Sequence, residues 1–274
     1  MSSVLAEAAH LRIGLSLGLL AVLAGAEAAW PRRVRTQPRL RRWPGNLGIA
    51  LVDALAVRLA FPVVALGVAL FAAQRGWGVL NLVALPGWMN IILSLLALDL
   101  AIYAQHVVFH KIPLLWRLHR MHHTDLDLDV TSGARFHPFE IMLSMLIKMA
   151  VVLALGVPPL AVLLFEIILN ATALFNHSNL GLPAGLDRLL RLLVVTPDMH
   201  RVHHSVLRAE TDSNYGFNLP WWDRLFGTYR AQPKRGHMAM DIGLELFRAP
   251  SDSRLRALLM QPFRSPAAPP ADTE

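Results

Sequence analysis

Five long apolar segments constrain this chain more than any other feature of its sequence. Residues 11–29, 47–73 and 79–104 are each long enough to cross the roughly 30 Å hydrocarbon core of a bilayer as a helix. Residues 141–157 and 160–175 adjoin a pair of prolines and are at the short end of that range, so they either cross as a hairpin or only dip into the bilayer. The sequence therefore predicts an all-α integral membrane helical bundle with about four to five apolar segments.

The composition excludes several classes of protein. Charged residues make up 16% of the chain and hydrophobic residues 54%, whereas an ordinary soluble domain has roughly 25% charged residues. The absence of cysteine excludes disulfides, cysteine-ligated zinc, iron–sulfur clusters and thiolate catalysis. A net charge of +7 is compatible with nucleic-acid binding, but a membrane protein needs basic residues for its orientation, and we expect no nucleic-acid partner.

Basic residues are distributed unevenly around the second apolar segment. The turn that follows it holds only Arg75, whereas the loop that precedes it holds six arginines: Arg32, Arg33, Arg35, Arg39, Arg41 and Arg42. Because arginine-rich short loops stay in the cytoplasm, we expect the N-terminus outside and the histidine motifs inside, in a bacterial cytoplasmic membrane. A signal peptide at residues 11–29 is disfavoured, since no basic region precedes it and arginines follow it.

Histidine is concentrated in one part of the chain. Ten of the 12 histidines lie between His106 and His204, and they form three motifs: His106-x3-His110, His119-x2-His122-His123 and His200-x2-His203-His204. Spacings of three and four residues place side chains on one helix face about 5 to 6 Å apart, which suits imidazoles that converge on a metal ion. Because one ion takes four to six ligands, these eight imidazoles predict a site for two ions.

The other four histidines stand alone in the sequence. We expect His177, at the end of the fifth apolar segment, to be a further ligand. His137 stands beside a proline that begins the fourth apolar segment, and it either takes part in the metal site or caps that helix. His10 and His237 are interpreted as hydrogen-bonded structural residues.

Four polar residues inside the apolar segments continue the histidine pattern, namely Asp99, Tyr103, Glu166 and Asn170. The first two share a helix stripe with His106, and the last two share one with His177. Metal-bound imidazoles commonly donate their second N–H to a carboxylate, so these residues are candidates to support the ligands. The alternative is that each carboxylate pairs with another group inside the membrane, such as Lys148.

The ligand types narrow the chemistry without naming the metal. Zinc hydrolases of the HExxH type are disfavoured because neither HxxHH motif has the adjoining glutamate. A haem held between opposing helices is disfavoured because the histidines cluster beyond one membrane face. Since imidazole binds zinc, copper, nickel and iron alike, the residues alone predict an imidazole-rich site for two metal ions at the cytosolic membrane face.

At these motifs the chain resembles the fatty acid hydroxylase/sterol desaturase superfamily of integral membrane non-haem di-iron oxygenases. The resemblance covers residues 99–230 and includes the superfamily hallmark of HX3-4H, HX2HH and a late HX2HH. It extends to the Asn-Tyr-Gly at 214–216 and the Trp-Asp-Arg-Leu-Phe-Gly-Thr-Tyr at 222–229. Some members have a second histidine shortly before the one equivalent to His177, where this chain has Ala173 and Leu174.

The resemblance implies an activity and a set of metal ligands. It implies two iron ions and O2 as co-substrate, with hydrogen abstraction from a C–H bond of a membrane lipid (fatty acyl, alkylglycerol or sterol-like) that gives an alcohol or an alkene. The implied iron ligands are His106, His110, His119, His122, His123, His177, His200, His203 and His204. Because no electron-carrier segment is visible, we expect a separate electron-donor protein.

Two alternatives are a metal transporter and a lipid-binding relative without oxygenase activity. A transporter needs ionisable ligands within the spans, and these histidines are expected mostly outside them. A relative that had lost activity would have lost ligands, and all three motifs are present. We expect one membrane-embedded domain at residues 1–249, with its catalytic part at 99–230. Residues 250–274 are expected to contain a short amphipathic run at 255–259 and a Pro/Ala-rich disordered end at 265–274.

Overall fold

The described part of the chain is helical. The computed structural model describes residues 2–61 and 63–264, and within them it contains helices and short 3-10 turns but no β-strand. The expected disordered end at 265–274 lies outside the described residues. The helices are α1 (Ser2–Ala29), α2 (Arg39–Ala60), α3 (Ala65–Arg75), α4 (Gly87–Lys111), α5 (Pro113–His123), α6 (Pro138–Leu155), α7 (Pro159–His177), α8 (Ala184–Leu190), α9 (Pro197–His203), α10 (Arg208–Thr211), α11 (Trp221–Leu225), α12 (Gly236–Ala239) and α13 (Leu255–Met260).

Five regions of the described chain are long and apolar enough to cross a membrane. They are Leu5–Ala29, Arg39–Asn81, Gly87–Lys111, Pro138–Leu155 and Pro159–His177. The short pair α6 and α7, at 18 and 19 residues, meets this length requirement. The prediction of an all-α integral membrane helical bundle with about four to five apolar segments is confirmed.

Two predicted boundaries differ from the structure. Residues 47–73 were expected as one helix, but α2 ends at Ala60 and α3 begins at Ala65. Phe61 is extended (φ −122°, ψ 95°), as expected for a residue that precedes a proline. The third span begins at Gly87 rather than at 79 and continues to Lys111, because Pro86 fits ahead of a first helical turn but not inside a helix. The first histidine motif therefore lies within α4 rather than beyond it.

The apolar core joins α3, α4, α6 and α7. Leu66 of α3, Leu98 of α4, Val152 of α6 and Phe165 of α7 belong to one buried cluster, and α1 packs along α7. The helix faces that point away from this core carry exposed leucine, isoleucine and valine side chains. An apolar exterior of this kind is what a helix bundle in lipid requires.

A buried ion-pair network joins α2 to the segment between α5 and α6. The guanidinium of Arg42 donates to Asp125 at 2.7 Å and to Asp129 at 2.6 Å, and all three residues are at most 1% exposed. Nearby, Glu27 at the end of α1 accepts from the backbone N–H groups of Val130 and Asn179. The arginine-rich loop and the segment after the second histidine motif therefore lie at the same end of the bundle.

The run after residue 250 packs against this end of the bundle. Leu258 of α13 is fully buried with Ile49 and Met121. Gln261 accepts a hydrogen bond from Thr124 at 2.9 Å. The predicted amphipathic run is thus helical and covers the junction of α2 and α5.

Candidate metal centre

Nine buried histidines converge in two adjacent groups at one end of the bundle. The larger group is His106, His110, His119, His123 and His203, and the smaller is His122, His177, His200 and His204. Within each group, one ring nitrogen from every histidine lies within 4.8 Å of those from the others, and no residue of either group is more than 5% exposed. The groups adjoin, since the rings of His123 and His204 stack at 4.5 Å. All nine sequence-predicted ligands are among them.

Sharp turns bring the motifs together. Ile112, between α4 and α5, is extended (φ −91°, ψ 118°) because a proline follows it, and α5 therefore folds back so that His119 meets His106. The side chain of Thr196 accepts from the N–H of Met199 and caps the start of α9, in the manner usual for threonine at this position.

Each HxxHH motif divides its histidines between the two groups. His119 and His123 are four residues apart on α5, share a helix face and join the larger group, whereas His122 turns toward the smaller one. In the motif at the end of α9 the arrangement is reversed, because His200 and His204 join the smaller group and His203 joins the larger. The two HxxHH motifs therefore have similar spatial arrangements as well as similar sequences, and they face each other across the site.

The outward ring nitrogens fix the tautomers of several imidazoles. The Nδ1 atoms of His106, His122, His177 and His203 lie 2.7 to 3.0 Å from backbone carbonyl oxygens. A carbonyl oxygen can only accept a hydrogen bond, so each of these Nδ1 atoms carries the proton and donates it. In a neutral imidazole this leaves Nε2 as a bare lone pair. These Nε2 atoms face into the two groups.

The inward nitrogens are arranged as metal ligands rather than as hydrogen-bond partners. The Nε2 atoms of His122 and His177 are 3.1 Å apart, and those of His106 and His119 are also 3.1 Å apart. Two lone pairs at this distance repel each other unless a cation lies between them. Ligand nitrogens at about 2.1 Å from one ion are separated by about 3 Å at their closest. The donor set therefore fits an imidazole-binding metal in each group.

Burial keeps the imidazoles that lie outside the apolar helices in the neutral form that binds metal. Removal from water lowers the pKa of His203 to about 3. It also lowers the pKa values of His122, His123, His200 and His204 well below their ordinary value, since a charged ring is disfavoured in a dry interior. Near neutral pH these rings present lone pairs without first losing a proton.

Two carboxylates that the sequence analysis did not identify support the larger group. Glu140, in the first turn of α6, lies with its Oε1 2.7 Å from His119 Nδ1. Asp212 lies with its Oδ1 3.3 Å from His110 Nδ1. Glu140 follows His137 by three residues, and its position in the first turn of an apolar helix was the available signal, because a buried acid there requires a partner.

Asp99 and Tyr103 have different partners from those predicted. Asp99 accepts from the indole N–H of Trp222 at 2.8 Å and from the backbone N–H of Leu219 at 3.2 Å. The Tyr103 hydroxyl bonds with that of Thr228 at 2.9 Å. The segment around α11 packs against the face of α4 that carries Asp99 and Tyr103 and forms hydrogen bonds with both side chains. Neither side chain therefore bonds to a histidine ring nitrogen.

Glu166 and Asn170 lie away from the histidines. Glu166 pairs with Arg12 at 2.6 Å and with Lys148 at 3.3 Å, which is the intramembrane pairing that the sequence left as an alternative. Asn170 donates to the hydroxyl of Ser16. These contacts join α1, α6 and α7 within the bundle.

The remaining histidines lie outside both groups. His137 caps α6, since its Nδ1 accepts from the N–H of Phe139, and it thus adopts the capping alternative. His237 is buried with its Nε2 3.6 Å from Asp198, and His10 is exposed.

A cavity opens from the larger histidine group into the bundle. It has a volume of about 430 Å³ and is lined by parts of α1, α2, α4, α6 and α7. His106 and His119 form part of its wall together with Phe136 and Phe217, and apolar side chains such as Val57 line much of the rest. Such a cavity can place an apolar ligand directly beside the histidine nitrogens.

Comparison with known proteins places this site in a family. The fatty acid hydroxylase family model matches residues 91–228, half of the chain. Ornithine lipid hydroxylase OlsE of Rhizobium tropici is 31% identical over 58% of this chain and 46% of its own length. Alkylglycerol monooxygenase of Homo sapiens is 29% identical over 52% of this chain and 31% of its own length. Cholesterol 25-hydroxylase of Rattus norvegicus is 25% identical over 53% of this chain and 48% of its own length.

The chain thus spans less than half the length of these curated relatives. No solved structure matches it. The family match contains the first two histidine motifs, the third one and the segment that packs on α4, and it covers all nine converging histidines. The chain belongs to the fatty acid hydroxylase family.

Proposed function

We propose that this protein is an O2-dependent di-iron oxidoreductase that hydroxylates or desaturates a C–H bond of a membrane lipid. The observation that carries the proposal is the pair of adjacent histidine groups whose bare Nε2 atoms face one another. The named relatives act on an ornithine lipid, an alkylglycerol and cholesterol. Their substrates differ in headgroup and skeleton but are all lipids, which supports a lipid substrate of fatty acyl, alkylglycerol or sterol-like type.

The nine histidines of the two groups would hold about two iron ions, one in each group. When bound, the ions supply O2 activation and the abstraction of hydrogen from an unactivated C–H bond. The choice of iron rests on the family, because imidazole ligands alone accept several metals. The group of five and the group of four differ by one ligand, and the departure from some family members at Ala173 and Leu174 is beside His177 in the smaller group.

The protein side chains orient the ligands and shape the space beside them. Glu140 and Asp212 accept from two rings of the larger group, which holds those rings in place and raises their basicity as ligands. Gly133 lets the turn after α5 approach α7 closely, since a Cβ there would come within 2.3 Å of the Ala173 carbonyl oxygen. That same carbonyl accepts from His177 Nδ1. Phe136 and Phe217 exclude water where the cavity meets the histidines.

The surroundings of the site define the partners that we propose. A lipid chain enters the cavity laterally from the bilayer, because the cavity lies among the apolar helices. Electrons come from a separate donor protein on the histidine side. We propose that this is the cytosolic side of a bacterial membrane, which the arginine-rich loop at the same end of the bundle supports. We propose residues 1–249 as one membrane-embedded domain with its catalytic part at 99–230, and residues 250–274 as its C-terminal run and tail.

Comparative lipidomics tests the proposal. Cells that express the wild-type protein with an electron donor should accumulate an oxidised or desaturated lipid that is absent from cells expressing His123→Ala. The product should depend on O2 and on reductant in purified preparations. Product formation from lipid alone under anaerobic conditions would refute oxygenation, and metal binding without any lipid product would favour a transporter or a non-catalytic lipid-binding protein.

A further inference from the structure

The wall of the cavity near the larger histidine group carries three acceptor oxygens that have no hydrogen-bond partner. They are Oδ1 of Asp53, Oε1 of Gln105 and Oε2 of Glu140, and all three residues line the cavity. Asp53 is 7% exposed and Glu140 is 4% exposed. Asp53 comes from α2, Gln105 from α4 and Glu140 from α6, so three helices contribute to one acceptor-lined wall.

The charged groups at the other end of the cavity are ion-paired with one another, although Arg12 Nε has no hydrogen-bond partner. Glu166 lies between Arg12 and Lys148, at 2.6 and 3.3 Å. Glu140, Ser144 and Lys148 follow one another at intervals of four residues on α6, so this second cluster lies about 12 Å along the helix from the acceptor wall. Among the described residues that line the cavity, the acceptor oxygens with neither a hydrogen-bond donor nor an ion-pair partner are therefore beside the histidines.

A buried acceptor without a donor is unfavourable, and a membrane interior supplies little water to satisfy it. An ionisable side chain in such a position marks a functional site by default. The neighbouring cavity wall is apolar at Ala54, Val57 and Met145, and it suits a hydrocarbon chain. The ligand that complements both surfaces is an amphiphile with a hydrogen-bond donor at the end nearest the histidines.

We propose that Asp53, Gln105 and Glu140 bind a hydroxyl or ammonium group of the lipid substrate, next to the carbon that faces the histidine centre. The proposal deepens the proposed function, on which it rests for the statement that the ligand is the substrate. Asp53 acts as a specificity residue, because it contacts the donor group rather than the reacting carbon. A site built around a substrate O–H or N–H strongly rejects an analogue that lacks it, since the acceptors then remain unpaired.

Binding of simple amphiphiles tests this without turnover. Titration calorimetry in nanodiscs, with protein-free nanodiscs subtracted, would compare dodecylamine, dodecanol and dodecyl methyl ether in the absence of O2 and reductant. The amine, the alcohol or both should bind about 10- to 100-fold more tightly than the ether. The preferred donor distinguishes an ammonium from a hydroxyl group.

Asp53→Leu should remove most of this preference, so that the ether binds as tightly as the amine and the alcohol. Glu7→Gln changes an exposed carboxylate of α1 and should keep the wild-type order. Because Asp53→Leu is expected to equalise the three affinities rather than abolish binding, a folding defect cannot imitate the result. Equal binding of all three probes to the wild type, or an unchanged order in Asp53→Leu, would overturn the proposal, whether or not the protein proves to be an oxygenase.

Discussion

Glu140→Gln should weaken metal binding in the larger histidine group. The Oε1 atom of Glu140 lies 2.7 Å from His119 Nδ1, and the two residues are only 4% and 2% exposed. Glutamine keeps an oxygen in the same place but removes the negative charge that polarises the ring. Loss of such a supporting carboxylate costs about 10- to 100-fold in metal affinity, or about 1.4 to 2.7 kcal/mol.

The assay is an anaerobic competition between the folded protein and a calibrated chelator for Fe²⁺. Two binding steps should be visible in the wild type, and Glu140→Gln should shift one of them by the stated factor. Among the described residues, the histidine that Glu140 hydrogen-bonds to is His119 of the larger group, so the binding step of the smaller group should stay in place.

Asp99→Asn is the matched control, because it alters a buried carboxylate of α4 that contacts Trp222 and Leu219 instead of a histidine. It should lower the stability of the folded protein by about 1 to 3 kcal/mol, since hydrogen bonds to a charged acceptor are weakened, and it should leave both metal-binding steps unchanged. Wild-type affinity in Glu140→Gln would refute the assignment of Glu140 as a supporting carboxylate, and metal loss in Asp99→Asn would contradict the placement of Asp99 away from the histidines.

Three further outcomes follow from the buried ion pairs and the topology. Arg42→Met should lower the free energy of unfolding by about 3 to 5 kcal/mol. Arg41→Met, which changes an exposed neighbouring residue, should alter this free energy little. Burial alone raises the pKa of Asp125, but Arg42 lowers it well below its ordinary value. The stability that this pair contributes should therefore be full at neutral pH and be lost in acid, below the pKa that Asp125 has in the unfolded chain. Acid unfolding followed by circular dichroism measures this loss. In the cysteine-free chain, an impermeant maleimide should label Ser251→Cys only from the cytosolic side and Arg75→Cys only from the outside; the opposite pattern would reverse the orientation.

The sequence predicted the helices well because hydropathy and length alone determine which segments suit a bilayer. The errors of the sequence-based prediction were at helix ends, where a single proline determines the residue at which a helix begins or ends. The continuous helix expected at 47–73 is interrupted after Ala60, and the span expected at 79 begins at Gly87. A hydropathy pattern averages over several residues, whereas a single proline is enough to end or interrupt a helix.

The same limit explains which site residues were found. Spacing along one helix places His119, His122 and His123 on known faces, but it does not say which helix each face meets, so the division into groups of five and four emerges only in three dimensions. The carbonyl of Tyr215 supports His106 from 109 residues away, and no local pattern encodes that contact. Asp99 lies on the same helix face as His106, as predicted, but its carboxylate accepts a hydrogen bond from Trp222 instead of supporting a histidine.

Counting iron in the purified protein tests the central claim most directly. Protein reconstituted anaerobically with Fe²⁺ and freed of loose metal should contain about two ions per folded chain. His203→Ala and His204→Ala change neighbouring residues that belong to different groups, and each variant should lose about one ion, from the larger and the smaller group respectively. A single ion in the wild type, or the full complement in both variants, would contradict a centre built from two histidine groups.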